Sequence, residues 1–220
     1  NGYDLLKDLD TKNAILLTGG LQATSASEII LKKMKKINYL IRGESELVLL
    51  KILDNFDNQK KIKNSIEDLD KIDGISYIKE KKFIQNKKQK IINDLDKLSP
   101  YDYDIFDSQA LIRPYNGNVV RAVDYEMSRG CIYSCNYCVE TIIQKYYDFE
   151  EFSSKTGAIK NFKSYLRNKS ANKIFEELKY LNKEKNIQLI RCQDTNFLTN
   201  DRNVLLELSD LIDGSNLDIK

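Results

Sequence analysis

Ser128-Arg129-Gly130-Cys131-Ile132-Tyr133-Ser134-Cys135-Asn136-Tyr137-Cys138 is the stretch on which the reading of this chain turns. It gathers three of the four cysteines in a CxxxCxxC spacing, with an aromatic residue just before the last. Three thiolates on one short loop match three irons of a cubic 4Fe-4S cluster, for which cysteine is the usual ligand. The fourth iron then has no protein ligand and is open to a small molecule. A structural zinc site uses similar cysteine pairs, but it closes a tetrahedron with four Cys or His ligands. The sequence has no His, so an all-cysteine zinc site would have to bring in Cys192. A structural zinc or iron-sulfur module without further chemistry therefore stays open as the alternative. A disulfide framework fits poorly, because four cysteines in 220 residues, without a signal-like start, read as thiols of a reducing compartment.

Upstream of the loop, Val119-Val120-Arg121-Ala122-Val123-Asp124-Tyr125-Glu126-Met127 reads as a strand that delivers the cysteines at its carboxyl end. Downstream, residues 139–169 are long for a loop and rich in aromatics, which implies helices of their own or a functional role. Ser170 is placed to cap an amphipathic helix with Ile174, Phe175, Leu178 and Leu181 on one face. Ile187 to Cys192 is the next strand, followed by Gln193-Asp194-Thr195-Asn196-Phe197. Val204 to Ile212 makes a further helix, and Leu217-Asp218-Ile219-Lys220 looks like the opening of a third strand. Inside its strand, Cys192 is expected to be a buried structural thiol. Alternating strand and helix predict parallel pairing of 119–127 with 187–192, with any site at the carboxyl ends of the strands.

A CxxxCxxC run in this position resembles the radical S-adenosylmethionine (SAM) family. The resemblance implies that Cys131, Cys135 and Cys138 ligate a 4Fe-4S cluster and that SAM chelates the remaining iron through its amino and carboxylate groups. An electron from the cluster then cleaves SAM to methionine and a 5′-deoxyadenosyl radical, which abstracts hydrogen from a substrate. Tyr137 would hold the aromatic position that borders the adenine of SAM, or simply pack. Asp194-Thr195-Asn196 stands where many members carry Gly-Gly-Glu for the methionyl amino group, so Asp194 and Asn196 are candidate cofactor contacts; strand-end Asp and Asn equally often cap helices. Arg129 either tunes the cluster or anchors the strand end, and Gly130 lets the backbone turn into the loop. No catalytic acid, base or nucleophile is assigned.

The N-terminal part repeats the alternation. Ala14-Ile15-Leu16-Leu17-Thr18 is an apolar run ended by Gly19-Gly20, as expected of a buried parallel strand. Ser25 and Glu28 have the spacing of a capping box for a helix reaching about residue 37, with Ile29, Ile30, Met34 and Ile37 on one face. Asn38-Tyr39-Leu40-Ile41 is the next strand, Arg42-Gly43-Glu44 its turn, and Ser45 the cap of a helix carrying Leu47, Leu50 and Leu53. This order resembles the C-terminal half of the cobalamin-binding domain that precedes many radical SAM domains, in which the Gly-Gly loop lies along the nucleotide tail. Gly19 and Gly20 are thereby candidate cobalamin contacts, at the carboxyl end of a parallel strand where ligands of doubly wound sheets bind. Members that use a His as lower axial ligand carry it in an Asp-x-His-x-x-Gly motif; that motif is not in this sequence, which also has Gln22 where members often have His.

The expected fold class is α/β: the C-terminal half of a doubly wound cobalamin-binding-type domain at 1–58, a linker with a β-hairpin at 59–118, and the first βα units of a partial radical SAM (β/α) barrel at 119–220. In the linker, Lys60-Lys61-Ile62-Lys63 leads to Ile75-Ser76-Tyr77-Ile78 and Lys82-Phe83-Ile84-Gln85, a hairpin whose lysines read as a solvated face. With 35 basic and 33 acidic residues the net charge is +2, which gives no ground for bulk capture of nucleic acid or membrane. No run approaches the roughly 18 apolar residues of a membrane span. Cofactors implied are the 4Fe-4S cluster, SAM and cobalamin; partners implied are a small-molecule or biosynthetic-intermediate substrate and an electron donor such as flavodoxin or ferredoxin, in the cytoplasm. The reaction implied is methylation of an unactivated carbon or another radical reaction. A barrel does not close on three strands, so the sequence is expected to be a piece of a longer protein, inactive by itself.

Overall fold

The computed structural model describes residues 2–10, 14–59 and 71–219, and within them the chain folds into two compact units. The first comprises 1–92 and 134–150; the second comprises 93–133 and 151–220. The hairpin at 75–85 and residues 86–92 fall in the first unit, and residues 93–118 fall in the second. The Lys60-Lys61-Ile62-Lys63 segment lies outside the described residues.

The first unit holds α1 (Gly2–Asp8), β1 (Leu17–Thr18), α2 (Leu21–Ser25), α3 (Ser27–Lys33), β2 (Tyr39–Ile41), α4 (Glu46–Gln59), β3 (Ile75–Lys79), β4 (Lys82–Gln85) and α5 (Glu140–Tyr146). Its four strands lie in the order β1-β2-β3-β4, the first pair parallel and the others antiparallel. β1 is shorter than the apolar run suggested. Leu16 still pairs with Asn38, whose backbone N–H reaches the Leu16 carbonyl at 3.0 Å while its side-chain Oδ1 accepts from the Leu16 N–H at 2.8 Å.

Side chains alternate across β2, so the two faces of the sheet carry different cores. Tyr39 and Ile41 pack with Val48, Ile52, Ile75 and Tyr77, whereas Leu40 packs with Ala23, Ile30, Leu31 and Ile37. Two expectations need correcting. The capping box does not form: Ser25 ends α2 and donates its hydroxyl to the Gln22 carbonyl, and α3 starts after Ala26 with no side-chain cap. On α4 the buried stripe is Val48 and Ile52, while Leu47, Leu50 and Leu53 are 47%, 56% and 50% exposed.

The second unit contains β5 (Ile112–Tyr115), β6 (Asn118–Tyr125), β7 (Ser128–Arg129), α6 (Phe162–Tyr165), β8 (Arg167–Asn168), α7 (Ala171–Lys185), β9 (Leu189–Cys192) and α8 (Arg202–Asp213). β6 and β9 pair in parallel, Ala122 opposite Leu189 through Tyr125 opposite Cys192, as the alternation of elements predicted. β5 adds an antiparallel edge through the Asn116-Gly117 turn, both residues left-handed at φ 48° and 77°. Ser170 caps α7 as expected, its hydroxyl accepting the Lys173 N–H at 3.2 Å. Ile174, Leu178 and Leu181 of α7 and Leu208 of α8 bury against Val123 and Tyr125. Within this core the Tyr125 hydroxyl donates to Glu177 at 2.5 Å, and Lys169 pairs with the same oxygen at 2.6 Å, so the buried cation and anion neutralise each other.

Leu217–Ile219 are not a third strand. Ile219 packs on the core, and the Asp218 carbonyl accepts from Asn182. Cys192 is in its strand as expected but is exposed, because it is the last residue of β9, where the packed part of the strand ends. No helix among the described residues is long and apolar enough to cross a membrane.

Candidate metal centre

The cysteine loop begins where β6 has ended and the chain has made the short pairing of β7 with β8. Gly130 adopts φ +97°, and a Cβ there would stand 2.6 Å from the Tyr165 carbonyl oxygen, so only glycine brings the backbone this close. Beyond Cys131, the Ile132 carbonyl accepts the Ile159 N–H at 2.9 Å and Tyr133 bridges to Ala158, which holds the start of the loop in the second unit. Arg129 donates to Glu126 at 2.8 Å, and Tyr101 donates to the same carboxylate oxygen at 3.3 Å. Of the two roles considered for Arg129, the structure displays the anchoring one.

The other half of the loop belongs to the first unit. The Cys138 N–H closes a turn on the Cys135 carbonyl at 2.9 Å, and the Thr141 hydroxyl donates to the Cys138 carbonyl at 2.7 Å. That turn feeds α5, whose end is fastened to the turn after β2. The Glu44 N–H donates to the Tyr147 hydroxyl at 2.8 Å, and Gly43, at φ +74°, leaves the room that this hydroxyl occupies. The Gly43 N–H in turn donates to Thr24, and Thr24 to the Gly20 carbonyl. Tyr137 is 93% exposed, and its phenol pKa is raised by a hydrogen bond with Cys135.

Cys131, Cys135 and Cys138 are half-buried and in no disulfide. Three reduced thiols are the donor chemistry that a cluster with one open iron requires, so the residue set fits that group. Among the described residues no three His, Cys, Asp or Glu side chains stand assembled around a metal position.

The segment after β9 is tied to the strand end before the loop. Asp194 accepts the Met127 N–H at 2.8 Å on one oxygen, and the Ser128 hydroxyl at 2.6 Å and the Asn200 amide at 2.7 Å on the other. Asn196 accepts the Leu198 N–H at 3.2 Å and directs its Nδ2 to the Cys131 sulfur at 3.8 Å. Both residues were singled out in the sequence, but Ser128 and Asn200 were not. Ser128 and Asp194 are 66 positions apart, which leaves no local signal of their pairing. Ile132, Phe162, Leu166 and Asn196 help line a cavity of about 260 Å³ beside this contact. Gly19 and Gly20 directly follow β1, at the carboxyl end of a strand paired in parallel. Gly20 has φ +92° with nothing within 4 Å of a Cβ position.

No family model matches the chain. It is 26% identical over 207 residues to the anaerobic magnesium-protoporphyrin IX monomethyl ester cyclase of Synechocystis sp., covering 94% of this chain and 35% of that protein. It is 23% identical over 208 residues to an uncharacterized methyltransferase of Pyrococcus horikoshii, covering 94% and 39%. Among solved structures it superposes on the cobalamin-dependent SAM radical enzyme OxsB, with aqua-cobalamin and SAM bound, at a TM-score of 0.59 and 19% identity, over 100% of this chain and 26% of that one. It also superposes on the radical SAM methyltransferase TsrM from Kitasatospora setae, with cobalamin and a [4Fe-4S] cluster bound, at a TM-score of 0.56 and 14% identity, over 97% and 36%. The chain therefore spans between a quarter and two-fifths of the length of these proteins.

Proposed function

We propose that this chain, related in sequence and fold to cobalamin-dependent radical SAM proteins, is part of an enzyme that uses a 4Fe-4S cluster and SAM to modify a small-molecule substrate. One observation carries the reading. The CxxxCxxC run follows the carboxyl end of β6, a strand paired in parallel with β9, and none of its three cysteines is in a disulfide. Cys131, Cys135 and Cys138 are the ligands assigned. With a cluster held by these cysteines and SAM at its open iron, the site would supply one-electron reductive cleavage of SAM and the radical chemistry that follows from it.

The chain's own residues prepare that chemistry. Gly130 sets the close turn into Cys131, Asp194 ties the strand end to the segment after β9, and Thr141 holds the Cys138 carbonyl. Tyr137 and Asn196 are assigned to the SAM side of the site. Gly19 and Gly20 are assigned to a cobalamin tail, since an open left-handed glycine leaves backbone for a ligand to approach. Methyl transfer is the reaction that the methyltransferases among the similar proteins favour over another radical reaction. A flavodoxin or ferredoxin as electron donor, and the cytoplasm as the reducing compartment, complete the reading.

Anaerobic reconstitution with iron and sulfide tests it. The expected result is a 4Fe-4S electron paramagnetic resonance spectrum that changes on adding SAM. Replacing Cys131, Cys135 or Cys138 by Ala should remove that response, and Cys192→Ala should keep it. Stoichiometric zinc with no SAM effect would sink the proposal. Aqua-cobalamin binding, followed in the visible spectrum and weakened by Gly20→Val, tests the cobalamin assignment separately.

A further inference from the structure

We infer that Asn196 is a positioning residue that donates an N–H···S hydrogen bond to Cys131 and so sets the reduction potential at that corner of the cluster; the inference rests on the cluster reading above. A carboxamide has an accepting and a donating end, and fixing one aims the other. Here Oδ1 accepts the Leu198 N–H at 3.2 Å, and Nδ2 faces the Cys131 sulfur at 3.8 Å. The Thr199 hydroxyl donates to the Asn196 carbonyl at 2.8 Å, which holds the backbone of the turn as well.

Donor and sulfur hang from one support. Asp194 binds the Met127 N–H and the Ser128 hydroxyl on the Cys131 side, and Asn200 on the Asn196 side. Asn200 also accepts from Asn168 of β8, the strand paired with β7 just before the loop. Asp194 and Asn200 therefore link the segment that carries the amide to the segment that carries the sulfur. Ile132, Phe162 and Leu166 contribute apolar side chains to the adjoining cavity, whose lining also includes Thr199.

A donor to a thiolate sulfur favours the electron-rich, reduced cluster, so it moves the potential upward; hydrogen bonds to sulfur are among the protein's means of tuning such centres.

The test is a redox titration of the reconstituted 220-residue protein, followed by electron paramagnetic resonance. Asn196→Ser and Asn196→Asp both keep an oxygen that can accept the Leu198 N–H, and both lose the amide donor. Both variants should assemble the cluster with wild-type iron content and melt as wild type, yet titrate at a more negative potential. The Asp variant should shift further, because it adds a negative charge beside the sulfur. Wild-type potentials in both variants, or a shift in the Asp variant alone, would overturn the inference and leave the cluster reading intact. Failure of the wild-type protein to assemble a 4Fe-4S cluster would overturn both.

Discussion

A carbonyl oxygen 2.6 Å from the Cβ position of Gly130 is a stricter constraint than the φ of +97° alone, because backbone atoms cannot step aside. Gly20 has nearly the same φ, +92°, but open space around it. Two alanines therefore separate strain from collision. Gly20→Ala should cost only the strain of a backbone conformation that glycine alone adopts readily, about 1–3 kcal/mol. Gly130→Ala should lose that and more, about 3 kcal/mol or above once the β7–β8 pairing is pushed apart. Melting both variants checks the difference, and equal losses would show that the Tyr165 contact does not matter. The phenols of the second unit give a prediction in pH. Burial pushes the Tyr103 hydroxyl up to about 12, and burial together with the hydrogen bond to Glu177 raises that of Tyr125. The folded state then keeps protons that an unfolded chain releases near pH 10. Their contribution to stability is complete below that pH and is lost as pH rises from about 10 through 12. Phenolate absorbance should rise in two stages, with the later tyrosines ionising together with loss of fold.

At the level of elements, what could be read from the sequence depended on whether the signal was local. Ser170 preceded an amphipathic run, and its cap is present at 3.2 Å. The parallel pair β6–β9 followed from strand–helix alternation, and the hairpin 75–85 from its two short runs. The face of α4 did not follow. Leu47, Leu50 and Leu53 repeat every three residues, Val48 and Ile52 are four apart, and both spacings suit one face of a helix. The choice lies with Tyr39, Ile41 and Ile75, whose packing no local pattern announces. The two tight turns make a related contrast. Asn116-Gly117 is the strongest short hairpin signal, and it joins β5 to β6. Glu80-Lys81 take the same left-handed pair of conformations, at φ 50° and 65°, with neither Asn nor Gly. Relief of left-handed strain, about 1–2 kcal/mol, exceeds glycine's entropic cost of about 0.5–1 kcal/mol, so Lys81→Gly should stabilise the first unit by up to about 1 kcal/mol, measured by denaturant unfolding; a destabilised variant would mean that the lysine stem contributes more than its backbone costs.

Across the whole molecule, the division into units does not follow the order of the chain. Residues 134–150 lie in sequence between two parts of the second unit but belong to the first. Their hold there is specific: Tyr147 accepts the Glu44 N–H at 2.8 Å, and the Tyr146 hydroxyl donates to the Arg42 carbonyl at 3.4 Å while Arg42 lies over its ring. This could not be read in advance, because residues that follow a cysteine loop carry no mark of the sheet they will join. A fragment of residues 1–92 should consequently unfold at a lower temperature than the same unit in the intact chain and should bind a hydrophobic dye. A separately added peptide of residues 134–150 should partly reverse both effects, and an unchanged melting temperature for the fragment would contradict the assignment. The same discontinuity has a consequence for biosynthesis. A ribosome delivers residues in order, at roughly 5–20 per second, so after Ile92 has been made the first unit still waits on the order of 3–12 s for the Tyr146–Tyr147 clasp. In that interval all three loop cysteines are made, and two of them reach their own unit only as its closing piece. The nascent thiols are therefore open to iron delivery, or to oxidation, before the fold that will hold them is complete.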